Sequence, residues 1–187
     1  MIERKGDWFQ TFTGNKFYPL DPKVDEIFIE DIAHALSVLC RFGGHCLQFY
    51  SVAQHCVIGA DELYETYGLD KELAFNFLMH DASEAYLNDL IRPLKRASDL
   101  GKLYRVIEER LEFVLASKFK LTYPYSVVVK NMDSRMLLTE KRDLVRNFSE
   151  AWKEEDEGFV PLDVKITPWT PAQSETTFLE RFNWYSK

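Results

Sequence analysis

Apolar residues recur at every third or fourth position over most of the chain, a spacing that is typical of amphipathic helices. Between these stretches lie Gly-Gly, proline-containing and acidic segments, which commonly end helices. The pattern predicts helices over the following segments: 29–39, 52–67, 70 to a break at 90–93, 98–119, 126–144 and about 172–185. Ser51 and Asp70 are the predicted N-caps of the second and third helices, and Ser126 or one of its neighbours is expected to start the fifth.

Two of the stripes predict specific buried faces. The stripe over 98–119 consists of Leu103, Val106, Ile107, Leu111, Val114 and Leu115, with charged residues on the opposite side. The last helix offers Phe178, Leu179, Phe182 and Trp184 for docking. We therefore expect both helices to pack against a common core.

Residues 8–20 follow a different pattern, in which aromatic and polar residues alternate around Gly14-Asn15. This predicts a small β-hairpin, which must pack on a helical body because one hairpin is not stable alone. Residues 153–158 are expected to form an acidic, solvated loop, and Pro161, Pro168 and Pro171 predict an irregular stretch after it. The predicted fold is a single all-α domain over 1–187, with its core at 25–145.

Composition excludes several classes of protein. The 187 residues are 46% hydrophobic and 14% aromatic, as in a globular protein. We expect a cytoplasmic protein, because no apolar run reaches the ~20 residues of a membrane span and no signal-type segment opens the chain. Three cysteines without a CxxC pair indicate reduced thiols. The net charge of −7 argues against nucleic-acid binding but allows a small phosphorylated substrate.

The run from Phe77 to Lys95 carries the clearest chemical pattern. His80 and Asp81 are adjacent, and Glu84 follows at helical spacing, so all three would point to one side of a helix. Burying an imidazole and two carboxylates is unfavourable unless a partner satisfies them, and a divalent cation would do so. An isolated His-Asp pair, however, usually has no such role.

Other helices contribute further polar groups. His55 lies on the second predicted helix, and Asp133 lies in an apolar stretch of the fifth, where it either reaches the surface or has a partner. Facing helices can bring such groups together in a bundle core. His34 is interpreted as a core histidine bonded to a backbone carbonyl, whereas His45 follows Gly43-Gly44 and is expected to be exposed, within possible reach of a substrate.

Cations and aromatic residues suggest where a substrate could bind. Arg41 and Lys95 are candidate phosphate ligands, and the alternative for each is an ordinary surface cation. Phe42 is among the aromatic residues that could stack on a base, although most aromatic residues of this chain are expected in the core.

Together these residues resemble the HD-domain phosphohydrolases, in which a histidine precedes a His-Asp pair and a distant aspartate. The likeness is greatest to the 5′-deoxynucleotidase branch and its phage and prophage relatives, and it covers residues 10–145. Its matching segments are Arg41-Phe42, 51–55, 80–85 and 89–95. The stretch from 12–14 through 29–34, together with 40–45, resembles in particular a phage and prophage subgroup that includes triphosphohydrolases of deoxynucleotides such as dATP.

The resemblance implies a role for each matching residue. His55, His80, Asp81 and Asp133 would bind one divalent metal ion, which could be Mn, Co, Fe, Zn or Ni. Glu84 would orient or deprotonate the attacking water, and Asp89 would contact the sugar hydroxyl or help proton transfer. Arg41 and Lys95 would hold phosphate and Phe42 would lie against the sugar, where the 5′-deoxynucleotidase branch has a tryptophan.

The function implied by this resemblance is release of phosphate from a deoxynucleoside monophosphate. Hydrolysis of a deoxynucleoside triphosphate is the first alternative, because none of these motifs distinguishes a monophosphate from a triphosphate. An alternative of another class is an HD scaffold that binds nucleotide or inhibits a protein partner without turnover. The resemblance also implies a homo-oligomer, a dimer or higher.

Overall fold

The computed structural model describes residues 4–187, which form a mostly helical body and a small antiparallel sheet of two strands. The strands are β1 (Phe9–Gln10) and β2 (Lys16–Phe17). The α-helices are α1 (Ile29–Val38), α2 (Val52–Asp61), α3 (Lys71–Met79), α4 (Glu84–Leu87), α5 (Arg92–Ala97), α6 (Asp99–Phe119), α7 (Val127–Leu144), α8 (Lys153–Asp156) and α9 (Pro171–Tyr185). None of the helices within 4–187 is long and apolar enough to cross a membrane.

The predicted hairpin is present, with strands of two residues each. Phe9 lies opposite Phe17, and the fully buried Phe17 ring stacks on Tyr86 with 4.1 Å between ring centroids. The turn is fastened to α1, because Asp31 accepts hydrogen bonds from the backbone N–H (2.7 Å) and the hydroxyl (3.0 Å) of Thr13. As expected, the hairpin packs on the helical body.

Three helices begin at their predicted positions, each with a side-chain cap. Ser51 Oγ accepts from the N–H of Gln54 at 3.1 Å at the start of α2, and Asp70 accepts from the N–H of Leu73 at 2.8 Å at the start of α3. Ser126 does the same for α7 at 3.4 Å. Each side chain satisfies one of the N–H groups that a helix start leaves free.

At Gly59, α2 packs directly against a ring of α3. A Cβ atom placed there would lie 2.1 Å from Cε1 of the fully buried Phe77 ring. Only glycine lets these two helices pack this closely, and Phe77 is three residues before His80. The spacing of α2 and α3 therefore determines how far apart their polar side chains lie.

Replacing Gly59 by alanine is expected to destabilise the protein by about 1–3 kcal/mol, because overpacking a rigid ring outweighs the better helix propensity of alanine. The free energy of unfolding in urea measures this. Gly59→Ala should cost less stability in a Phe77→Leu background than in the wild type, because the ring that the new Cβ would meet is then absent. An unchanged stability of the single variant would contradict the close contact.

The segment after α3 differs from its prediction. The helix ends at Met79, residues 80–83 form a turn, and α4 starts at Glu84, so the predicted continuous helix to 90–93 is wrong. Pro93 does not break a helix but lies in the first turn of α5, where its missing N–H leaves no hydrogen bond unmade. His80 and Glu84 therefore lie on either side of a turn.

The apolar stripe of α6 is buried over part of its length only. Leu111 and Leu115 are fully buried, whereas Leu103 and Val106 are 67% and 58% exposed. The first turns of α6 pack on α5 through Gly101, where a Cβ would lie 2.3 Å from the carbonyl oxygen of Lys95. The prediction that this whole stripe is buried is wrong, because periodicity shows amphipathicity but not the length of the surface that receives it.

Two predictions for the C-terminal part are also wrong. The acidic segment forms α8, and Glu154 is buried instead of solvated because Arg92 and Arg96 bind it. On α9, Phe178 docks as predicted, but Trp184 is 52% exposed and lies beneath the Lys71 ammonium, 3.8 Å from its ring centroid. The stretch between α8 and α9 is irregular, as its prolines predicted.

Candidate metal centre and adjoining cavity

Three parts of the chain bring imidazoles and carboxylates together. His55 comes from α2, His80 and Asp81 follow α3, and Asp133 lies on α7. His55 Nε2 lies 3.5 Å from an oxygen of Asp133 and 3.8 Å from one of Asp81. His80 Nε2 lies 3.3 Å from Asp81 and 3.9 Å from Asp133. The four residues predicted as ligands thus form one cluster.

The other nitrogen of each imidazole is already occupied. His55 Nδ1 lies 2.6 Å from Oε1 of Glu140, and His80 Nδ1 lies 2.6 Å from the carbonyl oxygen of Phe77. Since a carbonyl oxygen only accepts, His80 Nδ1 carries the proton and donates it. Donation from His55 to the Glu140 carboxylate follows the same pattern. In the neutral form of each ring, Nε2 therefore has a lone pair for a ligand bond.

The two Nε2 atoms test whether a metal ion fits. Both are buried, and neither has a hydrogen-bond partner in the part of the chain that the structure describes. His55, His80 and Asp133 can present one ligand atom each within 4.8 Å of one another, and Cys56, His80 and Asp81 form a second such group. Imidazole nitrogen together with carboxylate oxygen suits a borderline or hard divalent cation. These groups could therefore hold a metal ion.

The electrostatics of the cluster favour positive charge. Burial would raise the pKa of Asp133, but Arg92 and both imidazoles outweigh it and hold that pKa well below its usual range. Burial would lower the pKa of His80, yet the carboxylates of Asp81 and Asp133 raise it well above its ordinary value. A divalent cation would compete with a proton for the same Nε2 atom of His80.

A cavity of about 630 Å³ adjoins the cluster, and Asp81, Asp133 and Glu84 are all part of its wall. Glu84 is buried, and burial together with the charges of Asp81 and Asp89 raises its pKa well above the ordinary value. Its Oε2 has no hydrogen-bond partner among residues 4–187, while Oε1 lies 3.6 Å from the Lys95 ammonium. This is a carboxyl group that can exchange a proton with a ligand in the cavity.

The residues expected to bind substrate also line the cavity: Arg41, Phe42, Asp89 and Lys95. Arg41 is buried, and its guanidinium lies 3.0 Å from Glu140 Oε2 and 3.4 Å from Asp81 Oδ2. The Lys95 ammonium bonds to Glu108 at 2.9 Å. Neither is the ordinary surface cation that the sequence left open as an alternative, because carboxylates hold both against the cavity wall.

The remaining histidines lie elsewhere. His34 is half-buried, stacks on Phe12 and lies 3.1 Å from a carboxylate oxygen of Glu175, so its interpretation as a core histidine bonded to a backbone carbonyl is wrong. The observed partner of His34 is a carboxylate on α9, which is distant in the sequence. His45 is exposed as predicted, and it forms part of the cavity wall.

Comparison with known proteins places the chain in a family. The uncharacterized protein YfdR of Escherichia coli is 40% identical over 177 residues, which cover 94% of both chains. The chain belongs to the YfdR family. A second protein, from Rhodobacter capsulatus, is 32% identical to this YfdR-family chain over 155 residues, or 79% of this chain and 77% of the relative. It too is named only as uncharacterized, and no family model matches the sequence.

Two side chains that bond to the cluster of this YfdR-family protein were not predicted from the sequence. Glu140 is fully buried and divides its carboxylate between His55 and Arg41. Arg92 donates to Asp133 at 2.5 Å and to Glu154 at 2.9 Å. A signal existed for Glu140, since it lies seven residues after Asp133 and so on the same face of α7. Arg92 offered no comparable signal.

Replacing Glu140 by glutamine is expected to weaken divalent-metal affinity about 10–100-fold, because a neutral amide binds His55 less strongly and removes the counter-charge of Arg41. Equilibrium titration of metal-free protein with Co²⁺ measures the affinity. Glu65→Gln, at an exposed position beyond α2, is the matched control and should bind like the wild type. Equal affinities of both variants would show that Glu140 has no part in holding the cluster.

Proposed function

We propose that this protein is a divalent-metal-dependent phosphohydrolase of the HD-domain type that releases phosphate from deoxynucleoside 5′-monophosphates. The observation that supports it most is the pair of buried imidazoles with Nδ1 bonded elsewhere and Nε2 within 3.9 Å of shared carboxylates. A cavity wall with carboxyl groups and cations continues from that cluster. The order of these residues along the chain matches the HD-domain pattern.

In this proposal His55, His80, Asp81 and Asp133 hold the metal ion. When bound, a divalent cation supplies Lewis-acid polarisation of a phosphoryl oxygen and lowers the pKa of a nearby water. The second nitrogen of each imidazole is fixed by Glu140 or by the Phe77 carbonyl, so both rings are already oriented for binding.

The other cavity residues carry the remaining chemistry. Water attacks phosphorus, a P–O bond forms and the ester P–O bond to the sugar breaks. Glu84 orients the water and takes its proton, and the departing 5′ oxygen receives a proton through Asp89 or solvent. Arg41 and Lys95 neutralise charge that develops on the phosphoryl oxygens. Phe42 lies against the sugar.

The experiment that tests this function is product analysis. The purified protein is incubated with Mn²⁺ or Co²⁺ and with each dNMP, each dNTP and the matching ribonucleotides, and products are separated by ion-pair chromatography. Orthophosphate and nucleoside from dNMPs are the expected products. Triphosphate released from dNTPs would assign the protein to the triphosphohydrolases instead. Hydrolysis of neither set would contradict both enzyme functions and favour the binding scaffold.

The homo-oligomer implied by the resemblance stays a prediction. Sedimentation of the purified protein gives its mass directly, and a monomer would contradict it.

A further inference from the structure

The cavity beside the candidate metal site has an apolar part in which the proposed function assigns a role to Phe42 alone. Ile91, Leu137, Val145 and Trp152 line it together with Phe42. The Phe42 and Trp152 rings are 6.1 Å apart between centroids and inclined by 47°. Trp152 lies beyond residues 10–145, where the family resemblance is found. We name this ring pair the aromatic corner.

The chain holds Phe42 in the corner at a conformational cost. Phe42 has φ 57° and ψ 27°, in the left-handed region that residues with a Cβ rarely adopt. Its ring centroid lies 5.7 Å from the guanidinium carbon of Arg41, which itself bonds to Asp81 of the cluster. Unfavourable backbone conformations of this kind persist only where the surrounding structure holds them, and they cluster at ligand-binding and active sites.

Trp152 is held from the other direction. It immediately precedes α8, and its backbone N–H donates to Glu155 Oε2 at 2.6 Å. Glu154, two residues after Trp152, is buried and accepts hydrogen bonds from Arg92 at 2.9 Å and from Arg96 at 3.2 Å. Because Arg92 also binds Asp133, one arginine joins the metal cluster to the segment that carries Trp152.

A flat ligand with an aromatic face suits this corner. Bases stack on aromatic side chains whatever their hydrogen-bonding edges, because every base has a π face. We infer that Trp152, next to the Phe42 ring that lies against the sugar, forms a subsite for the nucleobase of the substrate. Trp152 is then a specificity-determining residue that favours nucleotides over phosphate esters without a base. This inference rests on the proposed function, and it adds the part of the substrate that the corner recognises.

The test compares a substrate that has a base with one that lacks it. Wild type, Trp152→Ala and Trp152→Phe are assayed with a dNMP and with 2-deoxyribose 5-phosphate, and binding of both ligands is measured by calorimetry. Trp152→Ala is expected to raise KM and Kd for the dNMP about tenfold, with kcat little changed. Values for the sugar phosphate should stay at the wild-type level, and Trp152→Phe should keep most of the affinity.

Trp184→Ala is the matched control, because Trp184 is an exposed tryptophan on α9. It should leave both ligands unaffected. Equal losses for the dNMP and the sugar phosphate in Trp152→Ala, or no loss for either, would overturn the inference. Failure of the proposed function gives a different result, because the wild type would then hydrolyse neither compound. The calorimetric binding of the two ligands would still test the aromatic corner in that case. If Trp152→Ala does not fold, Trp152→Phe and Trp152→Leu give the same comparison.

Discussion

Replacing His55 by alanine is expected to lower phosphate release about 10³-fold or more, the largest effect of any single change considered. His55 is fully buried, and its Nε2 lies nearest to Asp133 at 3.5 Å. Alanine removes one of the four proposed ligands and leaves the buried Glu140 carboxylate without its imidazole partner. Loss of a bound cation withdraws several kcal/mol of transition-state stabilisation, which corresponds to a factor of this size.

The measurement combines initial rates on a dNMP with metal content per chain by atomic emission. His34→Ala is the matched control, because His34 is a half-buried histidine on α1 that bonds to Glu175 on α9. It should retain activity and metal. A His55→Ala protein that is folded, metal-loaded and active would exclude His55 as a ligand.

Replacing Glu84 by glutamine is expected to lower kcat by ~10²–10⁴, the usual contribution of a general acid or base. Glutamine keeps the shape of the side chain but cannot accept a proton from water. The carboxyl group is buried and its Oε2 has no hydrogen-bond partner in residues 4–187, so it is available to a ligand. Metal content should stay at the wild-type level, because Glu84 is not one of the four residues proposed to bind the metal ion.

Glu112→Gln provides a control of similar character. Burial raises the pKa of Glu112 to about 7, and its carboxylate accepts a hydrogen bond from the Tyr123 hydroxyl at 2.8 Å. This variant should hydrolyse dNMPs at close to the wild-type rate. If Glu84→Gln were as active as Glu112→Gln, the water would have to be activated without Glu84.

The parts of the fold that could be predicted depend on local chemistry. Ser51, Asp70 and Ser126 cap helices through side chains that reach only three residues along the chain, and their sequence signal is equally local. The hairpin around Gly14 is local in the same way. These elements follow from neighbouring residues alone.

Packing across the chain could not be read in this way. Leu103 has the same helical spacing as the buried Leu111, yet it is exposed. Glu154 lies in an acidic run that suggests a solvated loop, and it is buried because Arg92, 62 residues away, binds it. A single sequence does not state which distant residues meet.

The candidate site shows both situations. His55, His80, Asp81 and Asp133 were expected together because they match an ordered motif, and the structure brings them together. Glu140 orients His55 through a hydrogen bond to Nδ1, and that contact depends on how α2 faces α7. The helix spacing of Glu140 from Asp133 was visible, but its partner was not.

The most direct test of the central claim is a metal titration read by phosphate release. The protein is stripped of metal with a chelator, and Mn²⁺ or Co²⁺ is added stepwise in the presence of a saturating dNMP. We expect negligible release without metal, a rise on addition and a plateau at one equivalent per chain. Full activity in the stripped protein, or an absence of dNMP hydrolysis at every metal concentration, would contradict the account.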